Sequence, residues 1–178
     1  SMPVGFKNGT DGSLATAINA MQAASSGHRF MGINREGQVA LLTTQGNPNG
    51  HVILRGGKQT NYDSVSVAEC EEEMSKSGLD AALMVDCSHA NSRKDFRRQP
   101  LVAEDVIHQI REGNKSIIGL MIERHINEGN QPSGIPVNEM AYGVSITDAC
   151  INWDSTEALL THAHQELVPF LQDRIKNQ

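Results

Sequence analysis

Ser116-Ile117-Ile118-Gly119-Leu120-Met121-Ile122-Glu123 is the stretch whose reading decides the fold. From Ile117 to Ile122 no polar residue interrupts the run, so the two-residue alternation of a strand wetted on one face is missing. Such a run suits a strand covered on both faces, as in a parallel sheet. Working outward, shorter apolar runs at 3–6, 51–54 and 81–85 repeat the theme, and each is followed by a loop and an amphipathic helix. The first helix is expected from near Asp11, with Leu14, Ala17, Ile18 and Met21 on one face. Asp63 or Ser64 caps the second, which buries Val67, Cys70 and Met74. The third opens at Pro100 and carries Val102, Val106, Ile107 and Ile110. The last starts with Asp154 and Glu157 in capping-box spacing and runs through Leu160, Ala163, Leu167 and Leu171, with Pro169 expected to kink it or end its first half. Between the first two units, 28–33 and 38–43 flank Asn34-Arg35-Glu36-Gly37 and predict an inserted β-hairpin at about 28–43. The polar segment 127–138, with two glycines and two prolines, is a candidate mobile loop.

Four strand-helix units make an α/β protein with a parallel sheet, read as one domain over residues 1–178. They amount to half of a (β/α)₈ barrel, which usually takes roughly 250 residues. An open four-stranded sheet in flavodoxin-like order is the alternative architecture. The 178 residues carry 15 Lys and Arg against 21 Asp and Glu, a formal net charge of -6, which excludes nucleic-acid binding through bulk charge. No window resembles a membrane span or a signal peptide, so a cytoplasmic protein without membrane partners is expected. Cys70, Cys87 and Cys150 are too few for a disulfide framework and are read as reduced thiols.

Each apolar run ends on a residue with chemistry: Lys7 after Phe6, Arg55 after Leu54, His89 just past Val85, Glu123 after Ile122. Strands of a parallel sheet end on one edge, and barrel enzymes carry their chemistry there. Lys7 and Arg55, beside glycines, suit a phosphate or carboxylate ligand. His89, Glu123 and Asp148 offer the donors of a divalent transition ion such as Mn²⁺, Fe²⁺, Co²⁺ or Zn²⁺. Cys87 is read as a buried structural thiol rather than a further donor. His125, His162 and His164 are read as exposed. Arg93, Lys94, Arg97 and Arg98 form a solvated basic cluster, with phosphate contact as the second reading. Gly56-Gly57 lacks the remainder of a dinucleotide fingerprint.

The segments PVGFKNGTDG at 3–12, HVILRGGK at 51–58, DCSHANS at 86–92, GLMIE at 119–123 and GVSITDACINW at 143–153 together resemble the microbial type I family of 3-deoxy-D-arabino-heptulosonate 7-phosphate (DAHP) synthases. DGSLATAINAM and NPNGHVILRGGK look most like its tyrosine-inhibited type. The resemblance implies the C-terminal half of a (β/α)₈ TIM barrel, units five to eight. It implies condensation of phosphoenolpyruvate with erythrose 4-phosphate, the first step of the shikimate pathway. Lys7 and Arg55 match phosphoenolpyruvate-binding residues, Lys7 and His89 the catalytic pair, and His89, Glu123 and Asp148 metal ligands. The family's fourth ligand, a cysteine, and its sugar-phosphate-gripping Lys-Pro-Arg-Thr segment belong to the N-terminal half and have no match here. Residues 30–42 resemble part of an inhibitor-binding region. A homo-oligomer, or pairing with the missing N-terminal half, is therefore expected, because a half-barrel leaves two strand edges open. The isolated chain is expected to be weak or inactive alone. The competing reading is an inactive fragment that serves only as an assembly module or a metal and phosphate binder.

Overall fold

The computed structural model describes residues 2–176, leaving out Ser1 and the last two residues. Strand β1 (Val4–Lys7) leads into helix α1 (Ala15–Ser25), and the hairpin β2 (Arg29–Ile33) and β3 (Val39–Thr43) follows. Then come β4 (Gly50–Leu54), α2 (Ser64–Lys76), β5 (Leu83–Asp86), α3 (Gln99–Arg111), β6 (Ile117–Met121) and α4 (Trp153–Lys176). The main sheet has the order β1-β4-β5-β6 with every pair parallel, and the hairpin is a separate antiparallel pair. An α/β architecture with a parallel sheet is thus in place. The strands lie side by side in chain order, whereas a flavodoxin-like sheet exchanges its first two.

One core joins the sheet to its helices. Val52 and Leu54 of β4, Leu83 and Val85 of β5, and Ile117 of β6 share a buried cluster with Ile18 and Met21 of α1, Val67 and Met74 of α2, Val102 and Val106 of α3, and Leu159 of α4. Because successive strand residues point to opposite faces, that cluster takes one face of β4 and β5. The other face carries His51, Ile53, Met84 and Asp86, in line with Lys7 through the pairings Lys7↔Ile53 and Asp86↔Met121. Burial holds the ring of His51 below the usual histidine pKa, so it sits in the sheet as neutral imidazole.

Four expectations are corrected. First, helix α1 begins at Ala15 rather than near Asp11, because Asp11 accepts the Ser13 N–H at 2.9 Å and closes a turn instead of a cap. Second, β6 is not covered on both faces: Ile118 is 57% exposed, at the point where the β5–β6 register shifts, while Ile117 is buried in the core and Leu120 packs against it. Third, of the two outcomes expected at Pro169 the ending does not occur, since α4 runs on through it. Fourth, Asn152 rather than Asp154 supplies its cap, accepting the Ser155 N–H at 2.8 Å. The hairpin is as expected, with Gly37 at a φ of 78° that a side chain would strain and Asn34 Oδ1 accepting from the Glu36 and Gln38 N–H groups. The 127–138 loop is tied down: Gln131 Nε2 donates to the Ala141 and Val144 carbonyls, and Gly129 bridges to Cys150.

Cys70, Cys87 and Cys150 are buried free thiols. Burial pushes the Cys70 and Cys87 thiols up to about 12, and raises Cys150 as well. A thiol held so far above neutral pH has almost no thiolate to react. In a thiol-disulfide colour assay at pH 8 the native protein is therefore expected to leave Cys70 and Cys87 unlabelled, and denaturant to release both. Rapid labelling of either in the folded state would contradict the packing.

Candidate active site

A parallel sheet brings the carboxyl ends of its strands to one edge, and the loops beyond that edge must satisfy their own backbone groups. Asparagine amides do this here. Asn8, 3% exposed, donates from Nδ2 to the Gly56 carbonyl at 2.9 Å and accepts the Arg55 N–H on Oδ1 at 2.8 Å. Asn61 accepts the Gly56 N–H at 2.7 Å and donates to Asn8 Oδ1 at 3.2 Å. Asn91 accepts the Asn61 N–H and gives both Nδ2 protons away, to the Leu54 carbonyl at 3.0 Å and the Asp86 carbonyl at 2.9 Å. Three loops, after β1, β4 and β5, are locked by one web. Glycines allow the approach: a Cβ on Gly57 would run into the Gly12 backbone, and one on Gly56, whose φ is 72°, would lie 2.8 Å from Ala90 Cβ.

On this platform His89, Glu123 and Asp148 converge, with one ligand atom from each within 4.8 Å of the others. His89 Nε2 lies 3.4 Å from Asp148 Oδ2. Glu123 is held from behind: Gln99, fully buried at the start of α3, donates to its carbonyl at 3.0 Å and accepts its N–H at 2.8 Å. Asp148 is the exposed member, its side chain 60% accessible. On its other side, the His89 ring has Nδ1 2.8 Å from Asp86 Oδ2, and that same oxygen accepts from Lys7 Nζ at 2.9 Å. Asp86 is wholly buried, while Lys7 keeps 36% of its side chain in solvent. The cation next to the sheet and the ion-chelating group thus meet through one carboxylate.

Among the described residues, the buried side-chain nitrogens without a hydrogen-bond partner are Arg55 Nε and His89 Nδ1. Nδ1 is close enough to Asp86, but its in-plane N–H misses the oxygen. Buried polar groups are almost always satisfied, and both exceptions fall on side chains singled out from the sequence for chemistry. An imidazole with a free edge, two carboxylates and a buried carboxylate behind the ring fit a divalent transition ion.

Some expectations shift. His125 is half-buried, with Nδ1 against the Gly143 carbonyl and accepting the Ile126 N–H, and half-buried His162 pairs with Glu104 at 2.7 Å. Only His164 of those three is exposed. The basic cluster divides: Arg97 stacks on Phe96 and Arg98 faces Asp95, whereas Arg93 and Lys94 join Lys58 around a cavity of about 340 Å³ beside Gly57 and Ala90. Cys87, fully buried with Sγ directed to the Val85 carbonyl, is outside the ion-binding group. A larger cavity of about 450 Å³ between α2 and α3 is lined by Asp63, Glu71, Asp105 and Glu112, and would repel an anionic ligand. Asp86, Asn8, Asn61, Asn91 and Gln99 were not selected from sequence. Four of them lie inside or beside the quoted motifs, but an amide that bonds backbone leaves no periodic signature.

Known proteins match this chain at length. The DAHP synthetase I family profile covers residues 1–161. The Tyr-sensitive phospho-2-dehydro-3-deoxyheptonate aldolase of Escherichia coli K12 is 67% identical over 98% of this chain and 49% of its own length. That of Enterobacter agglomerans is 66% identical over all of this chain and 84% of its own. The Phe-sensitive aldolase of Escherichia coli K12 is 52% identical. The solved phospho-2-dehydro-3-deoxyheptonate aldolase from Francisella tularensis SCHU S4 superposes with a TM-score of 0.84 at 36% identity, over 93% of this chain and 48% of that one. This chain spans about half the length of the Escherichia coli relatives.

Gln99→Leu removes both bonds to the Glu123 backbone and leaves a buried N–H and carbonyl unpaired. A loss of about 1–3 kcal/mol per unsatisfied group is expected, read as a lower urea midpoint. An unchanged midpoint would mean that Glu123 is not held in this way.

Proposed function

The chain belongs to the DAHP synthetase I family, and from that premise we propose that the protein containing it condenses phosphoenolpyruvate with erythrose 4-phosphate to DAHP and phosphate, the entry to aromatic amino-acid synthesis. The observation that carries the reading is the meeting of His89, Glu123 and Asp148 at the sheet edge that also presents Lys7 and Arg55. We read the four units as half of a (β/α)₈ barrel, residues 1–178 forming its C-terminal half with the hairpin as an insertion. Strands in chain order and helices sharing one core support that reading.

His89, Glu123 and Asp148 would hold a divalent ion, Mn²⁺, Fe²⁺, Co²⁺ or Zn²⁺, which when bound supplies a Lewis acid for the sugar aldehyde. The chain's own residues do the remaining work. Lys7, half in solvent and half on Asp86, and Arg55, with Nε buried and unspent, offer cationic donors to the phosphate and carboxylate of phosphoenolpyruvate. They offset charge as C3 of phosphoenolpyruvate attacks the aldehyde, water adds at C2 and phosphate departs. The amide web fixes the Arg55 and His89 loops beforehand, so the order is present before substrate arrives.

Edge strands β1 and β6 have one neighbour each, and Val4 and Ile118 are exposed. Such parallel edges take up further strands. We therefore assign the protein a closed assembly, either a homo-oligomer or a pairing with the other half of the barrel. Light scattering behind size exclusion is expected to give more than a compact monomer of this chain. Tyrosine rather than phenylalanine is the proposed effector, on the relatives' names.

Phosphate release from both substrates with Mn²⁺ tests the reaction. The chain supplemented with a polypeptide that supplies the other half of the barrel should turn over, chelator should stop it, and the chain alone should be weak. Arg55→Ala is expected to raise the KM for phosphoenolpyruvate about 10- to 100-fold, the loss of a charged hydrogen bond. No phosphate release with any divalent ion in the completed barrel would overturn the assignment.

A further inference from the structure

Asp86 is buried completely, yet it belongs to neither the anion-binding nor the ion-chelating set. Its Oδ1 accepts the Ser88 N–H at 2.9 Å, and its Oδ2 faces two site residues together, Lys7 Nζ at 2.9 Å and His89 Nδ1 at 2.8 Å. A buried carboxylate is costly to desolvate and persists where donors compensate it. Lys7 and Ser88 donate to it, and the His89 ring nitrogen lies at hydrogen-bond separation without yet being aligned. We propose that Asp86 is the positioning residue of the site: its Oδ2 holds the ammonium of Lys7 and the proton-bearing Nδ1 of His89, leaving Nε2 as the ring's free lone pair toward Glu123 and Asp148. This inference rests on the reading of the site given under the proposed function.

The chemistry of the acceptor supports it. A carboxylate oxygen accepts, so the ring nitrogen facing it is the one that carries the proton when the two bond. The opposite nitrogen, 3.4 Å from Asp148, is then the ligand atom. The backbone is arranged to the same end: His89 has a φ of 49°, in the left-handed region that costs most residues energy, and its ring turns back onto a side chain three positions earlier. Nδ1 and Oδ2 are already at hydrogen-bond separation and only the alignment is missing, which a rotation of the ring provides. Catalytic hydrogen bonds are often misaligned in this way before the site fills.

The shared oxygen has a further consequence. Because Lys7 and His89 face one atom, the distance between the anion subsite and the ligand nitrogen is set by Asp86. An asparagine at this position keeps the size and can still accept from Ser88. It then turns an N–H₂ toward two donors, repelling Lys7 and favouring the His89 tautomer with its proton on Nε2, where it blocks the lone pair.

The test is nitrogen-15 NMR of the histidine rings in the metal-free protein, with His89 assigned by its loss in His89→Gln, together with calorimetric titration by Zn²⁺ alone. Wild type is expected to show His89 as the Nδ1–H tautomer. Asp86→Asn is expected to shift it toward Nε2–H and to weaken Zn²⁺ binding about 10- to 100-fold, the usual cost of losing a carboxylate behind a ligating histidine. Lys7→Met, which leaves the carboxylate to the ring, should keep the wild-type tautomer and Zn²⁺ affinity. An Nε2–H tautomer in wild type overturns the proposal without recourse to any variant, even if Asp86→Asn fails to fold. So does a folded Asp86→Asn protein with unchanged Zn²⁺ affinity. These readouts need no turnover, so failure of the synthase assignment would appear separately, as absent phosphate release with the tautomer intact.

Discussion

Everything at the functional edge depends on the parallel ladder. Lys7 pairs with Ile53, Leu54 with Val85, and Asp86 with Met121, so four strands separated by helices stop at the same level. No antiparallel arrangement of these segments would bring residues 7, 55, 89 and 123 together, since alternate strands would end at opposite edges. The ladder also creates the problem that the loops solve. Beyond the last pair, backbone N–H and carbonyl groups have no strand to bond and are too buried for water, so side-chain amides replace the missing neighbour. Asn8, Asn91 and Gln99 bond backbone on other loops or elements and Asn61 bonds backbone within its own loop, which makes the loops rigid enough to place chemistry.

The elements most legible in the sequence are those whose signal is periodic. The stripe of Val67, Cys70 and Met74, the Asp63 cap and the Asn34–Gly37 turn all appear where spacing put them, because each depends on neighbours within a few residues. Element ends were less legible. Asp11 looks like a cap until its carboxylate is seen closing a turn onto Ser13, a choice between two local hydrogen bonds of similar worth. The run 117–122 suggested burial on both faces, but burial depends on what packs over each face, and at Ile118 that face is left open.

The site was legible in its ends and hidden in its middle. Lys7, Arg55 and Glu123 could be picked out because an ionisable residue directly after an apolar run breaks the pattern, and His89 because it lies just past one. Asp148 entered through its motif. Asp86 directly follows Val85 and meets the same test, but a carboxylate at a strand end also reads as the first residue of a loop. Only the fold shows that its side chain lies on the same face as Lys7, two strands away.

That placement suits a site that must manage charge before its ligand is present. With the divalent ion that the proposed function calls for, Lys7, Arg55 and the ion would form a strongly positive cluster, and Lys7 is held next to a buried surface where repulsion is poorly screened. A carboxylate at the centre offsets this charge, and being fully buried it cannot swing away into water. Under the proposed function an anion arriving at Lys7 would meet an ammonium already oriented by Asp86 Oδ2, an oxygen that the His89 ring also faces. The anion side and the chelating side therefore face a single shared atom, Asp86 Oδ2.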